Sequence, residues 1–367
     1  MASPILRPTR AEIRLSAVRS NLKKLTKAAA PARLLFVVKA NAYGHGAVEL
    51  ARLAERERLC WGFGVSCVEE GLALRQAGVT SPVLVLGSLY PFESFVEAIN
   101  AGLMVTIASL DAARQVIEAA RKLGKKAVCH IKLETGMGRI GARKPSVLKI
   151  YDELAASGDV SAAGLYTHLS SADTDADYTG AQLAIFSETA SELDARGARG
   201  LALHAANSAG ALGYPVARME LVRCGIAAYG LADGFEPALS LKTKIVFIKN
   251  VREGACISYN RSFRADRAMK IATIPAGYGD GYLRSFSNKA DVLIGGSRCR
   301  VLGNVTMDMT MVDVTGVKDA SVGAEAVLLG RQGGEEITAQ ELADHAGTIT
   351  YEIVTLITSR VPRVYVE

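Results

Sequence analysis

Lys39 closes the apolar run LLFVV (34–38) and opens the stretch ANAYGHG, where two glycines and an asparagine mark a turn. A lysine is seldom fully buried unless it is paired or reactive. Lys132 ends a second apolar run and leads into ETGMGRIG, which carries Arg139 in a glycine-rich loop. Tyr166 and His168 lie in AAGLYTHL; His204 lies in LALHAAN, which runs on into Asn207 and Ser208. Arg223 stands between Leu221-Val222 and Cys224-Gly225-Ile226. A guanidinium in such surroundings needs a partner, because an unpaired buried charge is costly. Taken singly, each residue has an ordinary reading: a surface lysine past a strand, a hydrogen-bonded core histidine, a turn with an N-cap. Together they offer an amine, an arginine, and loops of small residues whose hydroxyl and backbone N–H groups suit a phosphate. A lysine that forms a Schiff base with a phosphorylated aldehyde cofactor uses all three.

These residues share a placement, since each stands late in an apolar run of strand length or just past it. The runs are LLFVV, WGFGVS (61–66), PVLVLG (82–87), LMVTIA (103–108), VCHIKL (128–133), AAGLYTHL (162–169), LALHAAN (201–207) and LVRCGIAAYG (221–230). Between them lie segments with apolar spacing of three and four. One is GAVELARLAERERL; another, SLDAARQVIEAARKLG, opens on Ser109 as an N-cap, and a third is stopped by Gly197. Eight strands alternating with helices predict an α/β chain whose first part is a (β/α)8 TIM-type barrel, in preference to an open doubly wound sheet. Barrel enzymes keep their chemistry at the C-terminal strand ends, where these residues stand. After residue 236 short strands punctuated by glycine take over, with one short helix in TAQELADHAGTI. The expected domains are a barrel over 13–235 and a mainly β-strand domain from 236–367 with 1–12, because TRAEIRLS alternates and comes too early to be a barrel strand.

Bulk properties narrow the class. The 367 residues are 49% hydrophobic and 22% charged, enough for a sizeable core. No apolar run approaches a membrane span, and the N-terminal stretch lacks the apolar core of a secretory signal, so a cytoplasmic enzyme with no membrane partner is expected. The +6 net charge is dispersed, which argues against nucleic acid. Six cysteines without a CxxC pair read as buried free thiols in a reducing compartment, and the five histidines lack metal-ligand spacing.

VVKANAYGHG resembles the pyridoxal 5'-phosphate attachment site of bacterial alanine racemases. The resemblance continues in order through KLETGMGRIG, YTHLSSAD, HAANSAG, VRCGIAAYGL, ISYNRSF, IPAGYGDGY, GNVTMDMTMVDVT and YEIVTLITSRVPRVY, nearly the whole chain. It implies a fold-type III enzyme that interconverts L- and D-alanine for peptidoglycan, working as a homodimer with shared active sites. Lys39 matches the lysine that holds the cofactor as an aldimine, and Tyr259 the tyrosine that enters from the partner subunit. These are the family's two bases, Lys39 at the D face and Tyr259 at the L face. His168 and Arg223 match the chain from that tyrosine to the pyridine nitrogen. Tyr43, Ser208, Gly225, Ile226 and Tyr351 match phosphate contacts, with Asn207 beside them. Arg139 and Met307 match the positions that take the substrate carboxylate. Lys132 matches a lysine that is carbamylated in many members, and Tyr278 and Tyr282 resemble the tyrosines that narrow the entrance.

The chain departs from the usual pattern at Asn260 and Ser262, Ala228 and Thr306, which leaves substrate range less determined than reaction type. A racemase of broader range or preferring serine is the nearest alternative. A fold-type III decarboxylase would not need Tyr259 or the Lys132/Arg139 pair, and a non-catalytic cofactor carrier would not need the β-domain.

Overall fold

Val, Ile, Leu and Phe runs flanked by helices bury both faces, as strands of a covered parallel sheet do. The computed structural model describes residues 6–318 and 320–367. After a first strand, β1 (Arg10–Arg14), come β2 (Arg33–Val37), β3 (Gly62–Val65), β4 (Val83–Val85), β5 (Met104–Ile107), β6 (Ala127–Lys132), β7 (Val160–Tyr166), β8 (Ala202–His204) and β9 (Leu221–Cys224). β2 to β8 pair in parallel in chain order, and β9 pairs in parallel with β2. Two backbone hydrogen bonds, Glu220 N–H to Leu203 O (3.1 Å) and Arg223 N–H to Ala206 O (2.9 Å), join the β8 and β9 segments. The eight-stranded barrel expected from the alternation is therefore present. Leu34, Leu35, Phe36, Phe63, Val65, Val83 and Leu84 fill its wall and core. Ser109 caps the helix Leu110–Leu123 by accepting from Ala112 N–H at 3.1 Å.

The chain separates into two compact units, Arg19–Ala42 with Ala47–Ala228, and residues up to Val18 with Tyr43–Gly46 and Tyr229–Glu367. In the second unit, β1 pairs antiparallel with Leu239–Lys244 and in parallel with Arg363–Val366, as the alternation of TRAEIRLS suggests. A separate three-stranded sheet (Phe247–Val251, Met269–Ile274, Thr310–Asp313) stands beside a hairpin, Cys256–Ile257 with Phe263–Arg264. Ile257, Ala265, Met269, Ile271 and Leu302 form a small core under that hairpin, with Phe263 and Met311 packed on it.

The turn that Asn41, Gly44 and Gly46 mark directly after Lys39 is present, and its left-handed backbone includes residues with side chains: Ala40, Asn41, Ala42 and Tyr43 have φ of 51°, 53°, 55° and 52°. Such a conformation costs roughly 1–2 kcal/mol per residue with a side chain. The surrounding contacts must hold it. Ala42 N–H donates to Val38 O (2.8 Å), and Asn41 Oδ1 accepts from Ala47 N–H (2.9 Å). The cysteine expectation is also corrected: all six are free, but Cys67 and Cys256 are exposed rather than buried.

Candidate active site

Strand ends of the first unit collect cations. Lys39 is half-buried just past β2, Lys132 ends β6 at 5% exposure, and Arg223 lies within β9 at 4%. Lys132 Nζ and Arg223 Cζ each sit 5.2 Å from the centroid of the Tyr166 ring, whose electron-rich face favours positive charge. Arg139 is exposed on the loop after β6, where Glu134 accepts the N–H groups of Gly136 (2.5 Å) and Gly138 (3.0 Å). Burial and the mutual repulsion of these cations lower the amines' proton affinity. Lys39 is lowered by desolvation, then by Arg139 and Arg223; Lys132 falls to about 7 by desolvation, then by Arg223 and Arg139.

Arg223 is tightly bound on its terminal nitrogens. Nη1 donates to His204 O (2.8 Å) and Nη2 to Thr167 O (2.6 Å) and Ala205 O (2.9 Å). Nη1 also meets His204 Nδ1 (3.1 Å), and Nη2 meets His168 Nδ1 (3.3 Å). Arginine has only donors, so both imidazole Nδ1 atoms accept and both rings carry their hydrogen on Nε2. His204 then donates from Nε2 to His130 Nδ1 at 2.8 Å. Sequence reasoning did not single out His130. Its signal is Gly164 across the strand pair: a Cβ there would lie 2.3 Å from His130 Nδ1, so only glycine leaves the ring its place.

Desolvation and the Arg223 charge lower His130 to about 4; desolvation, His130 and Arg223 hold His204 well below the ordinary value. Both rings are buried. Unfolded, the same imidazoles take up protons below pH 6.5 while the folded ones do not. The folded state therefore loses stability as pH falls through that range. From pH 7 to pH 5 His130 alone costs about 2 kcal/mol. Calorimetry of cofactor-free protein should show a lower Tm at pH 5 than at pH 7, with a smaller difference in His130→Gln. An unchanged Tm would refute the neutral pair.

The loops after β8 and β9 are tied together, because Gly225 N–H donates to Ser208 Oγ at 3.2 Å. Asn207 Oδ1 accepts Gly210 N–H at 2.9 Å, which makes it the cap of Ser208–Gly213. Ile226 is buried next to Gly225. A phosphorylated pyridine aldehyde can be tested against this donor set. Arg223 Nε–H is the one guanidinium nitrogen with no acceptor among the described residues, on a side chain otherwise saturated, and it suits a ring nitrogen. Lys39 supplies a depressed amine for an aldehyde. The chemistry of the donor set fits.

The second unit holds the other expected residues. Tyr43 packs on Tyr229 (centroids 4.9 Å) and on Tyr351 (5.9 Å). Tyr259, 71% exposed, crowns the small hairpin, where its carbonyl accepts from Asn304 Nδ2 at 3.0 Å. Asn260 takes φ 58°, a left-handed conformation that asparagine tolerates. Tyr278 and Met307 lie on adjoining loops, joined by Tyr278 N–H to Thr306 O (3.0 Å) and Gly279 N–H to Met307 O (2.9 Å). Tyr282 departs from the entrance expectation: at 1% exposure it packs on Phe286 in the core, and its hydroxyl has no partner among the described residues.

Known proteins place this geometry. The family pattern "Alanine racemase, N-terminal domain" matches residues 13–233, and "Alanine racemase, C-terminal domain" matches 238–365. An alanine racemase of Symbiobacterium thermophilum is 45% identical, with 98% of this chain and 97% of the relative covered. Among solved structures, alanine racemase of Bacillus anthracis with bound L-Ala-P is 35% identical at TM-score 0.93, covering 100% of this chain and 96% of that one. The enzyme of a D-cycloserine-producing Streptomyces lavendulae is 34% identical at TM-score 0.93, covering 100% and 98%.

Proposed function

The chain belongs to the alanine racemase family, and from that premise we propose that it interconverts L-alanine and D-alanine with pyridoxal 5'-phosphate. The observation that carries this is a depressed Lys39 amine sharing one barrel mouth with the saturated Arg223, whose Nε–H alone is unclaimed. When bound, the cofactor supplies an electron sink that acidifies the Cα–H of an amino acid joined to it.

Lys39 would hold the cofactor through its amine and would serve, through Nζ, as the base at the D face of the substrate Cα. Burial and the neighbouring Arg139 and Arg223 lower its proton affinity, which favours the free amine that a base requires. Arg223, whose Nε–H has no acceptor among the described residues, would donate to the ring nitrogen of the cofactor and, because it keeps its own proton, would restrain the sink and limit side reactions. His168 accepts from Arg223 at Nδ1, so its Nε2–H is left to donate towards the hydroxyl of Tyr259. Tyr259 serves the L face from the partner subunit of a homodimer. The exposure of Tyr259, Tyr278 and Met307 on the second unit supports an interface there. Ser208, Gly225, Ile226, Tyr43 and Tyr351, with Asn207 alongside, would hold the phosphate. Arg139 and the Met307 N–H take the substrate carboxylate. Lys132, lowered to about 7, has a share of neutral amine that can add to CO2 and release one proton to solvent; the carbamate so formed would turn a cation into an anion able to orient Arg139.

The product suits peptidoglycan, and the relatives' shared name favours alanine over serine or a broader range. Purified cofactor-loaded protein should racemise L-alanine with kcat/KM well above that for L-serine or L-lysine, and intact mass should show one added CO2. A preference for serine or lysine would overturn the substrate assignment.

A further inference from the structure

Glu70 lies 30 residues beyond Ala40 in the chain, yet its carboxylate reaches the backbone on which Lys39 is mounted. Oε1 accepts Ala40 N–H at 2.6 Å, and Oε2 accepts Ser66 N–H at 2.7 Å. Ser66 directly follows β3, while Ala40 is the first left-handed residue of the turn after β2. One carboxylate therefore spans two neighbouring strand ends. Ala40 to Tyr43 are all held in a conformation their side chains disfavour, so a charge-assisted hydrogen bond at the first of them bears on the whole turn.

The charges around Lys39 are unbalanced. Arg139 and Arg223 lower its proton affinity, Lys132 and His168 belong to the same cluster, and Glu70 is the anion that opposes them. A simpler role is available. Glu70 sits in the first turn of Val68–Gln76, where a glutamate often reaches back to cap its own helix, and the Ser66 bond fits that habit. The Ala40 bond does not fit it, since it serves another loop.

We propose that Glu70 is a positioning residue for Lys39, anchoring the left-handed turn through Ala40 N–H and supplying the counter-charge of the amine. This rests on Lys39 being the reactive amine, a point tested separately by loss of cofactor absorbance in Lys39→Ala. In the full-length chain without cofactor, hydrogen exchange is followed at 39–46 and at 68–76, together with the pH at which Lys39 becomes half-reactive towards an acylating reagent. Glu70→Gln keeps the size and loses the charge. It should speed exchange at 40–43 about tenfold and shift the Lys39 midpoint to lower pH. Glu70→Asp keeps the charge but is too short to span both N–H groups, so it should speed exchange and leave the midpoint near that of the wild type. Faster exchange confined to 68–76 with an unmoved Lys39 midpoint in Glu70→Gln would overturn the proposal and leave a helix cap. Should Glu70→Gln fail to fold, Glu70→Asp decides: unchanged exchange at 40–43 overturns the anchor.

Discussion

Lys39→Ala is expected to purify without the visible absorbance of bound cofactor and to lose racemisation by at least about 10^4-fold, because attachment and a base vanish together. The fold should survive. Lys39 follows β2 rather than filling its core, and the strand's stability comes from Leu34, Leu35, Phe36 and Val37, each buried. Removing a half-buried amine crowded by Arg139 and Arg223 also relieves repulsion, so Tm of the cofactor-free protein should hold or rise. A Lys39→Ala protein that kept the absorbance would move the attachment elsewhere, with Lys132 the next amine to examine.

Tyr259→Phe should keep the absorbance and lose racemisation by about 10²–10⁴-fold, the usual weight of one acid–base group. A phenol is a poor base at neutral pH unless cations surround it, so its hydroxyl needs the company of His168 and Arg223 to act. The loss should be one-sided. In deuterated water the variant should still exchange the α-proton of D-alanine, served by Lys39, while that of L-alanine stays. Exchange of both α-protons, seen by proton NMR, would mean that Tyr259 is not the second base. Trans action has its own check. An equal mixture of Lys39→Ala and Tyr259→Phe subunits, once exchanged, leaves one intact site in each hybrid and should recover about a quarter of full activity. No recovery despite verified exchange would place Tyr259 in its own subunit's site.

Much of this architecture was legible because it depends on local spacing. Apolar runs of strand length, separated by segments of helical period, specify strand and helix without reference to distant residues. A barrel then has to carry Lys39, Lys132, His168 and Arg223 at the same relative place, so polar residues late in apolar runs were informative. Resemblance of whole motifs added roles for Tyr259 and Met307, which no periodicity announces. Cys67 and Cys256 resisted reading for the opposite reason: whether a side chain near an element's end is covered depends on what packs beside it.

By itself the sequence determined the order of elements, the switch to short strands after residue 236 and the chemical types at the strand ends. Tertiary structure decided which of those groups meet. His130 and His204 are 74 residues apart and touch because β7, lying between their strands, presents Gly164 opposite the His130 ring. Glu70 reaches Ala40 because β2 and β3 are neighbours in the barrel. The left-handed run begins at alanine rather than glycine, and a long-range hydrogen bond from Ala40 N–H to Glu70 helps to hold it against local preference. Tyr282 is core because the β-domain closes over it. Local propensity is a property of a few consecutive residues; strand register and burial belong to the assembled chain, and the chemistry at Lys39 depends on both.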